Sequence, residues 1–368
     1  MKYWAPWIGL LVGLFISCIL ALFFKENPLH VLQVLVTSFS ASKFDFGLTL
    51  FYTTCFIFSG LAFSIPLKAG LFHIGSEGQI IFSAWVAAAL GSLVGTDSTW
   101  TSFLAPWPTL RFIFSLSLLI FGTFTAGVTA ALVIAAFKKI RNAHEVVVAI
   151  MLNFIFAALT TWLTTHWMQN PDSQNPETKL IDPTFQFLKN DFLKNYFEQS
   201  PVSLFFIGAV LTCFILAFLE KKTLLGYQIK AYGQNPSAAQ RLGINPSRIL
   251  IISLGLAGFF SAAVGLTEVL GNTFQYKIGF SPQYGFLGIA VALLARQNFI
   301  GLIGSAFLMA CLHKGASDLD LETQFLTRDF SKVLQALIIF SVAASYSFFD
   351  LKNRFKKKVV NTRLGGEP

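Results

Sequence analysis

The sequence predicts an all-α, polytopic membrane protein with about ten transmembrane helices. Of its 368 residues, 54% are hydrophobic and only 12% are charged, whereas soluble globular proteins carry about 25% charged residues. The charged residues also fall in short clusters between long apolar runs. A soluble domain could not bury so much apolar surface, but a lipid bilayer accepts it. These two observations exclude an ordinary soluble fold.

Several apolar windows approach the length of about 20 residues that a helix needs to cross the hydrocarbon layer. They cover residues 4–24, 48–66, 77–95, 110–136, 146–168, 202–219, 249–270, 284–297, 299–314 and 331–349. The first window is longer than the apolar region of a signal peptide, about 7–15 residues, so we expect a retained helix that is closed by Glu26, Asn27 and Pro28. The short windows 284–297 and 299–314 predict either two short helices or one broken helix.

The distribution of Lys and Arg predicts the orientation of these helices. If the N-terminus is internal and the chain crosses about ten times, the strongest basic clusters all fall on the cytoplasmic side. They comprise Lys138, Lys139, Arg141, Lys221, Lys222, Lys230, Arg241, Arg248 and the tail residues Lys352, Arg354, Lys356, Lys357 and Lys358. Both termini are therefore predicted to be cytoplasmic. The net charge of +9 follows from membrane topology, and we expect no nucleic-acid partner.

We expect a single transmembrane domain over residues 1–368, with no separate soluble domain. It divides into a first helix with an external segment (1–47), a core (48–349) and a basic cytoplasmic tail (350–368). The longest polar segment, about 169–200, is rich in Pro, Asn and Asp. This composition predicts an external loop or a short surface helix.

Polar residues at membrane depth mark candidate functional positions, because they are costly unless they contact protein or a watery cavity. Gly75, Glu77 and Gln79 lie close together between two apolar runs. The glycines of this segment favour either close helix contact or a break in a helix beside a solute pathway, and both interpretations stay open. A catalytic triad of His73, Ser76 and Glu77 is disfavoured, because triads are usually assembled from distant chain positions.

Two further polar residues lie inside apolar windows. Asn153 lies about two to three turns deeper than His144, where hydrogen bonding between helices is the first expectation and solute contact the second. Glu268 is a second intramembrane carboxylate, suited to the solute pathway or to ion coupling. The glycines of segment 279–296 fit close packing and a broken helix equally well.

The segment 225–245 is a polar stretch between two predicted membrane helices, on the cytoplasmic side. Asn235 and Pro236 are typical of a helix start, and Gly243 is typical of a helix end. We therefore predict a short helix of about two turns over Ser237–Leu242. The small apolar face that it offers to a partner comprises Ala238, Ala239 and Leu242.

The sequence contains no pattern for a metal site or for ATP binding. Its cysteines lie inside apolar segments without metal-ligand spacing, and they are Cys18, Cys55, Cys213 and Cys311. We expect them to be small buried hydrophobic residues. No Gly-Lys dipeptide occurs, so the chain lacks the phosphate loop of ATPases. We expect neither a metal nor a bound cofactor.

Four segments, in this order, resemble the branched-chain amino acid, ribose and nucleoside permease family of bacterial ABC importers, over about residues 50–345. The first resembles the family pattern N-I-G-x-E-G-Q, with His73 where Asn is common and matches at Ile74, Gly75, Glu77, Gly78 and Gln79. The second resembles the nucleoside-type signature N-E-V-x-x-x-I-M-L-N, with His144 in place of Asn and matches at Glu145, Val146, Ile150, Met151, Leu152 and Asn153. The third is similar to the family's cytoplasmic coupling segment, and the fourth to its G-F-x-G-I-A-V-A-L-L signature from Gly285 onward.

The resemblance implies the permease subunit of an ATP-binding cassette importer that works by alternating access and is not itself an enzyme. ATP would be used by a separate cytoplasmic ATPase that docks on the coupling segment. The coupling residues that the resemblance assigns are Gly226, Asn235, Pro236, Ala238, Ala239, Arg241 and Gly243. The residues that we assign to the solute pathway are Gly75, Glu77, Gln79, Asn153 and Glu268.

The resemblance also implies an extracytoplasmic solute-binding protein or lipoprotein, and a location in the bacterial inner membrane. In its length and in the external region Gln174–Glu177, the chain resembles the longer of two paired permeases in nucleoside systems, and this resemblance favours a heterodimer with a second, related permease over a homodimer. The subgroup signature favours nucleosides, purine nucleosides first. A simple-sugar permease of the ribose type is the alternative, and an ion-coupled secondary transporter is the remaining rival.

Overall fold

A computed structural model describes residues 5–95, 99–188 and 191–323, together with a few positions between 333 and 344. The described residues form the α-helices α1 Ala5–Phe23, α2 Pro28–Thr37, α3 Lys43–Lys68, α4 Ser76–Leu93, α5 Pro108–Arg141, α6 Glu145–His166, α7 Asp191–Tyr196, α8 Phe205–Lys222, α9 Leu224–Gln234, α10 Pro236–Arg241, α11 Pro246–Glu268, α12 Tyr284–Leu294 and α13 Phe299–Glu322. Short 3₁₀ turns cover Ser38–Ser40, Thr99–Leu104 and Pro183–Leu188, and a π-helical segment, Val269–Thr273, extends α11. The predicted all-α class is confirmed for these residues. The basic tail 350–368 and most of the window 331–349 lie outside them.

Within the described ranges, five helical spans are long and apolar enough to cross a membrane, namely Lys43–Lys68, Pro108–Arg141, Glu145–His166, Pro246–Thr273 and Phe299–Glu322. Shorter apolar helices cover Leu11–Phe23, Pro28–Ser40 and Tyr284–Leu294. The chain is therefore a polytopic membrane protein.

The two short windows near residue 297 form two separate helices, α12 and α13. The chain between them turns at Arg296 and Gln297, whose φ angles of 53° and 60° are in the left-handed region. Of the two alternatives left open by the sequence, two helices is the correct one. The second is longer than its window, since α13 continues to Glu322.

The helix α2 was not predicted. Asn27 and Pro28 were interpreted only as the end of the first helix, but they also start the next one. The Asn27 side chain accepts a hydrogen bond from the amide of Leu29 at 3.0 Å, and Pro28 occupies the first helical turn. This is the usual N-terminal chemistry of a helix.

The chain divides into two compact units. The first comprises residues 1–46 and 308–368, and the second comprises residues 47–307. Within the first unit, α1, α2 and the end of α13 share an apolar core of Ala21, Val31, Val34, Leu35, Ala316 and Leu319. Lys314 is buried there, and its ammonium group lies 2.9 Å from the Asp45 carboxylate and 2.5 Å from that of Asp318. Such pairing is what a buried charge requires.

The second unit is built on mutual packing of α4, α5 and α11, with α6 on the outer side of α4. Glycines allow the backbones to approach closely. A Cβ atom at Gly258 of α11 would lie 2.2 Å from the carbonyl oxygen of Gly127 in α5, and one at Gly265 would lie 2.8 Å from the amide nitrogen of Ala84 in α4. Only glycine fits at these two positions.

The polar segment 169–200 carries short helical turns, as predicted, and also pairs with the chain that follows the π segment. The amide of Thr178 donates to the carbonyl of Tyr276 at 3.0 Å, and that of Ile181 donates to the carbonyl of Phe274 at 2.8 Å. The Gln275 side chain donates to the Glu177 carboxylate at 2.9 Å. These bonds fix the chain between α11 and α12.

Candidate functional site

The start of α4 is held by Asn153 of α6. The Asn153 side-chain oxygen accepts from the amide of Gly78 at 2.9 Å, and its nitrogen donates to the carbonyl of Ile74 at 3.0 Å. A Cβ atom at Gly78 would lie 2.8 Å from Asn153, so the glycine makes this contact possible. The expected role of Asn153 in hydrogen bonding between helices is confirmed.

Glu77, in the first turn of α4, binds the start of α12. Its carboxylate accepts from the amide of Gly285 at 2.7 Å. A Cβ atom at Gly285 would lie 2.5 Å from the backbone nitrogen of Glu77, so the two helix starts touch through their backbones. A carboxylate at a helix N-terminus is also favoured by the helix dipole.

Glu268, the last residue of α11, binds the same point on α12. The Tyr284 hydroxyl donates to its carboxylate at 3.3 Å, and the Asn272 side chain donates to it at 2.7 Å. The π segment that follows Glu268 is a type of helix distortion found frequently at functional sites. The structure therefore brings Glu77 and Glu268 together at the first two residues of α12.

Gln79 and Gly75 belong to a second buried group, beside α11. The Gln79 side-chain oxygen accepts from the Ser261 hydroxyl at 3.1 Å and lies 3.3 Å from Nε2 of His73. A Cβ atom at Gly75 would lie 2.9 Å from the His73 ring. Nδ1 of His73, Oγ of Ser76 and Nε2 of Gln79 are buried and have no partner in the structure.

All five residues assigned to the solute pathway lie in the protein interior, with Glu77 7%, Gln79 1%, Asn153 9% and Glu268 3% exposed. Their contacts in the structure are with the chain itself. The sequence analysis placed Gly285 only in a family signature and did not single out Tyr284, Ser261 or Asn272, which complete the two groups. The pair Tyr284-Gly285 lies inside the glycine-rich segment 279–296, but their partners, Glu268 and Glu77, are 16 and 208 residues away. In the part of the chain that the structure describes, no group of three or more His, Cys, Asp or Glu residues could hold a metal ion.

The coupling segment forms two short helices joined at Asn235. Thr223 caps α9 through a hydrogen bond from the amide of Gly226 at 3.2 Å. The Asn235 side chain caps α10 by accepting from the amide of Ala238 at 3.1 Å. Gly243, with φ +83°, ends α10 in the left-handed conformation. The predicted start and stop are therefore confirmed, with α10 one residue earlier at each end than expected.

The exposed side of α10 differs from the predicted apolar face. Leu242 is 73% exposed, and Ala238 and Arg241 are also exposed. Ala239 is only 2% exposed and packs inside a core that includes Ile229. Ala239 therefore attaches α10 to the rest of the chain, and the surface open to a partner is formed by its neighbours.

Comparison with known proteins identifies the family. The model of the family described as "Branched-chain amino acid transport system / permease component" matches residues 44–343. The chain belongs to this family. It is thus the permease component of a transport system, and not an enzyme. The match includes all the pathway and coupling residues named above.

This permease resembles proteins of known transport systems over nearly its whole length. It is 29% identical to the nucleoside ABC transporter permease protein NupB of Lactococcus lactis, covering 94% of this chain and 92% of NupB. It is 28% identical to the guanosine ABC transporter permease protein NupP of Bacillus subtilis, covering 97% of each chain. It is 24% identical to the glucose ABC transporter permease protein TsgB13 of Haloferax volcanii, covering 100% of this chain and 93% of TsgB13. No solved structure matches the chain significantly.

Proposed function

We propose that this chain is one of two permease subunits of an ATP-binding cassette importer that moves nucleosides, purine nucleosides first, across a bacterial inner membrane. The observation that carries the proposal is its similarity to NupB and NupP over 94% and 97% of this chain. Similarity over so much of the sequence includes the pathway helices as well as the coupling segment. The signature over Glu145–Asn153 supports the same subgroup.

Import of a simple sugar is the second candidate. TsgB13, named as a glucose permease, is similar over the whole chain at 24% identity. A nucleoside contains a ribose ring, so a pathway for nucleosides and a pathway for simple sugars would both have to accommodate sugar hydroxyl groups. The order of the two candidates follows from the higher identity of the nucleoside relatives.

The remaining subunits follow from the same proposal. A separate cytoplasmic ATPase uses ATP, and a solute-binding protein or lipoprotein delivers the solute from outside. A second, related permease completes the membrane part as a heterodimer. This chain forms a single permease domain of about ten transmembrane helices with both termini in the cytoplasm, and it binds neither cofactor nor metal.

We assign Gly75, Glu77, Gln79, Asn153 and Glu268 to the solute pathway. Support comes from the π segment and the short helix α12, since interrupted helices are common beside transport sites. The carboxylates of Glu77 and Glu268 meet at the start of α12 through hydrogen bonds of 2.7 Å and 3.3 Å. Alternating access would exchange these internal bonds for bonds to water or solute as the helices rock.

The proposed substrate is tested by uptake of labelled guanosine or inosine in cells with and without this chain, with ribose as competitor. We expect deletion to abolish nucleoside uptake, and ribose to leave the uptake of the intact cells unchanged. Loss of ribose uptake with normal nucleoside uptake would indicate that the importer carries a simple sugar instead of a nucleoside. Uptake that survives ATP depletion and collapses with an ionophore would instead indicate an ion-coupled transporter.

Docking of the ATPase on α10 is tested by Leu242→Asp. Because Leu242 is exposed, the change should leave the fold intact while weakening ATPase docking by about tenfold or more, as the loss of a buried interface anchor does. The amount of ATPase that copurifies with the permease and the rate of uptake measure the effect. Leu180→Asp, at a leucine that is 60% exposed in segment 169–200, is the matched control and should retain the ATPase.

Normal copurification and normal uptake in Leu242→Asp would count against docking at α10. Ala239→Asp is unsuitable for this purpose, because Ala239 is buried and a charge there would destabilise the fold directly.

A further inference from the structure

We infer that Gly233 and Lys68 form a joint through which the coupling segment moves the start of α4, and that both are positioning residues for transport. The inference rests on the proposed function, since it concerns how ATPase docking at α10 reaches the solute pathway. It assigns a role to two residues, at the end of α9 and the end of α3, that the pathway and coupling assignments leave out.

The first observation is a backbone contact between α9 and the end of α3. A Cβ atom at Gly233 would lie 2.0 Å from the carbonyl oxygen of Lys68 and 3.0 Å from the carbonyl carbon of Ala69. Gly70, in the left-handed region at φ +76°, approaches the same point. No side chain lies between the two backbones, so a displacement of α9 acts directly on the end of α3.

The second observation is a shielded ion pair at the same place. The Lys68 ammonium group lies 2.5 Å from the Glu220 carboxylate, and the two side chains are only 10% and 19% exposed. Lys68 also lies over the ring of Phe299, 4.2 Å from its centroid. One cation thus connects α3 with the end of α8 and the start of α13. Because the pair is shielded from water, removing one partner leaves a poorly solvated charge.

The third observation is a close backbone approach between the end of α8 and the start of α9. A Cβ atom at Gly226 would lie 2.6 Å from Cα of Glu220, so the turn between the two helices is closed by a backbone contact. Glu220 therefore holds Lys68 at the point where the coupling segment begins. The end of α3 is therefore held at two points, by the Gly233 backbone of the coupling segment and by the Glu220 carboxylate at the end of α8.

The end of α3 leads directly into the pathway residues. Only residues 69–75 separate Lys68 from α4, and Asn153 binds this turn at Ile74 and the start of α4 at Gly78. Glu77, the second residue of α4, binds α12. A shift at Lys68 consequently changes the position of Glu77 and Gln79 without any contact between α10 and the pathway.

The experiment uses the complete transporter, this chain with its partner subunits, in proteoliposomes, and measures ATP hydrolysis and nucleoside uptake separately. Gly233→Ala is the first variant, because its Cβ atom must push α9 away from α3. We expect uptake per ATP hydrolysed to fall by at least about fivefold, a typical magnitude for a coupling between sites, while ATP hydrolysis and subunit assembly are retained. Gly208→Ala is the matched control, because no atom lies within 4 Å of a Cβ placed there.

A charge exchange provides the second arm. Lys68→Glu and Glu220→Lys should each lower the uptake per ATP, and the double variant should restore a large part of it, because a reversed ion pair can form between the same helices. A purely structural role would instead lower the amount of assembled transporter and leave the ratio unchanged.

The outcomes separate this inference from the proposed function. If the wild-type transporter shows strong ATP-driven uptake and Gly233→Ala shows the same uptake, the proposed role of Gly233 and Lys68 is wrong. The proposed function then stands. A proportional loss of hydrolysis and uptake would also overturn the role of Gly233 and Lys68, by indicating a defect in docking or folding. A wild-type transporter that takes up no nucleoside would overturn both.

Discussion

Two helices of nearly equal hydropathy, α6 and α11 with its π segment, differ sharply in burial. In the most apolar stretch of each, 72% of Pro246–Thr273 is buried but only 11% of Glu145–His166. Both satisfy the requirements of length and composition for crossing a bilayer. Their different positions in the fold therefore depend on something other than hydropathy.

The difference follows from the residues at their contacts. Gly258 and Gly265 let the backbone of α11 approach α5 and α4 so closely that a methyl group at either position would overlap the neighbouring backbone. On α6, apolar contacts of Ala149 and Phe156 are joined by hydrogen bonds of the buried polar residues Asn153 and Thr160. Helices in lipid gain no hydrophobic energy by associating, so small residues and hydrogen bonds decide which surfaces meet.

The exposed side of α6 is large and apolar. Met151 is 63% exposed, Phe154 is 73% exposed and Trp162 is 56% exposed. Such a surface is suited to lipid or to the second permease that we propose. The contrast teaches that α11 is fixed by backbone contacts, which tolerate no added atom, and α6 by a few hydrogen bonds, which can be removed one at a time.

The largest effect is expected from Gly258→Ala in α11. The new methyl group would overlap the carbonyl oxygen of Gly127, at 2.2 Å, and overpacking of this kind costs about 1–3 kcal/mol. The midpoint of thermal unfolding in detergent should fall accordingly. Gly255→Ala, in the same helix, is the control, because its Cβ atom would meet only Leu132 at 3.9 Å. Equal midpoints for the two variants would contradict the proposed importance of the backbone contact.

A smaller effect is expected from Asn153→Leu in α6. The change leaves the amide of Gly78 and the carbonyl of Ile74 without their partner, and hydrogen bonds between membrane helices contribute about 1–2 kcal/mol. Thermal unfolding in detergent measures the loss. Phe154→Leu, at the neighbouring exposed position, should leave the midpoint unchanged. If it lowers the midpoint as much as Asn153→Leu does, then packing rather than the amide holds α6.

The smallest effect is expected from Tyr276→Phe, at the other end of α6. The Tyr276 hydroxyl donates to Thr160 at 3.1 Å, and the loss of one such bond costs about 0.5–1.5 kcal/mol. Burial raises the pKa of Tyr276 to about 12, above its usual value of about 10. The unfolded chain therefore loses this proton first, and the stability contributed by Tyr276 should decline as pH rises from about 10 to 12.

The Tyr276→Phe variant should lack that part of the decline above about pH 10. Unfolding midpoints of both proteins at neutral pH and between pH 10 and 12 check the prediction. A decline of the same size in both proteins would show that other groups cause it.

Features that depend on neighbouring residues could be predicted from the sequence. Asn235-Pro236 and Gly243 define α10 because capping is a local property of the backbone, and the polar residues Glu77, Asn153 and Glu268 stand out against apolar runs. The helix α2 was missed because Asn27-Pro28 ends one helix and starts another. The burial of Ala239 could not be predicted, because its apolar neighbours Ala238 and Leu242 are exposed and nothing in the local sequence distinguishes it from them.

The grouping of Glu77 with Glu268 could not be predicted, because it depends on distant parts of the chain. It requires that Gly285 touch Glu77 and that Tyr284 reach Glu268, at positions separated by 208 and 16 residues. The glycines of the fourth segment indicated close packing, but the sequence does not say what they pack against. Tertiary contact, and not local propensity, assembles the candidate site.

The length of α12 limits where this part of the chain can meet lipid. Its 11 residues extend about 16 Å along the helix axis, roughly half of the hydrocarbon thickness of about 30 Å. The ten residues before it, 274–283, belong to no helix. Bonds to Thr178 and Ile181 satisfy three of its backbone groups, the carbonyls of Phe274 and Tyr276 and the amide of Tyr276, whereas hydrocarbon can satisfy none. The stretch 274–283 must therefore be screened from the lipid tails, by protein or by water, in every conformation that the transporter visits.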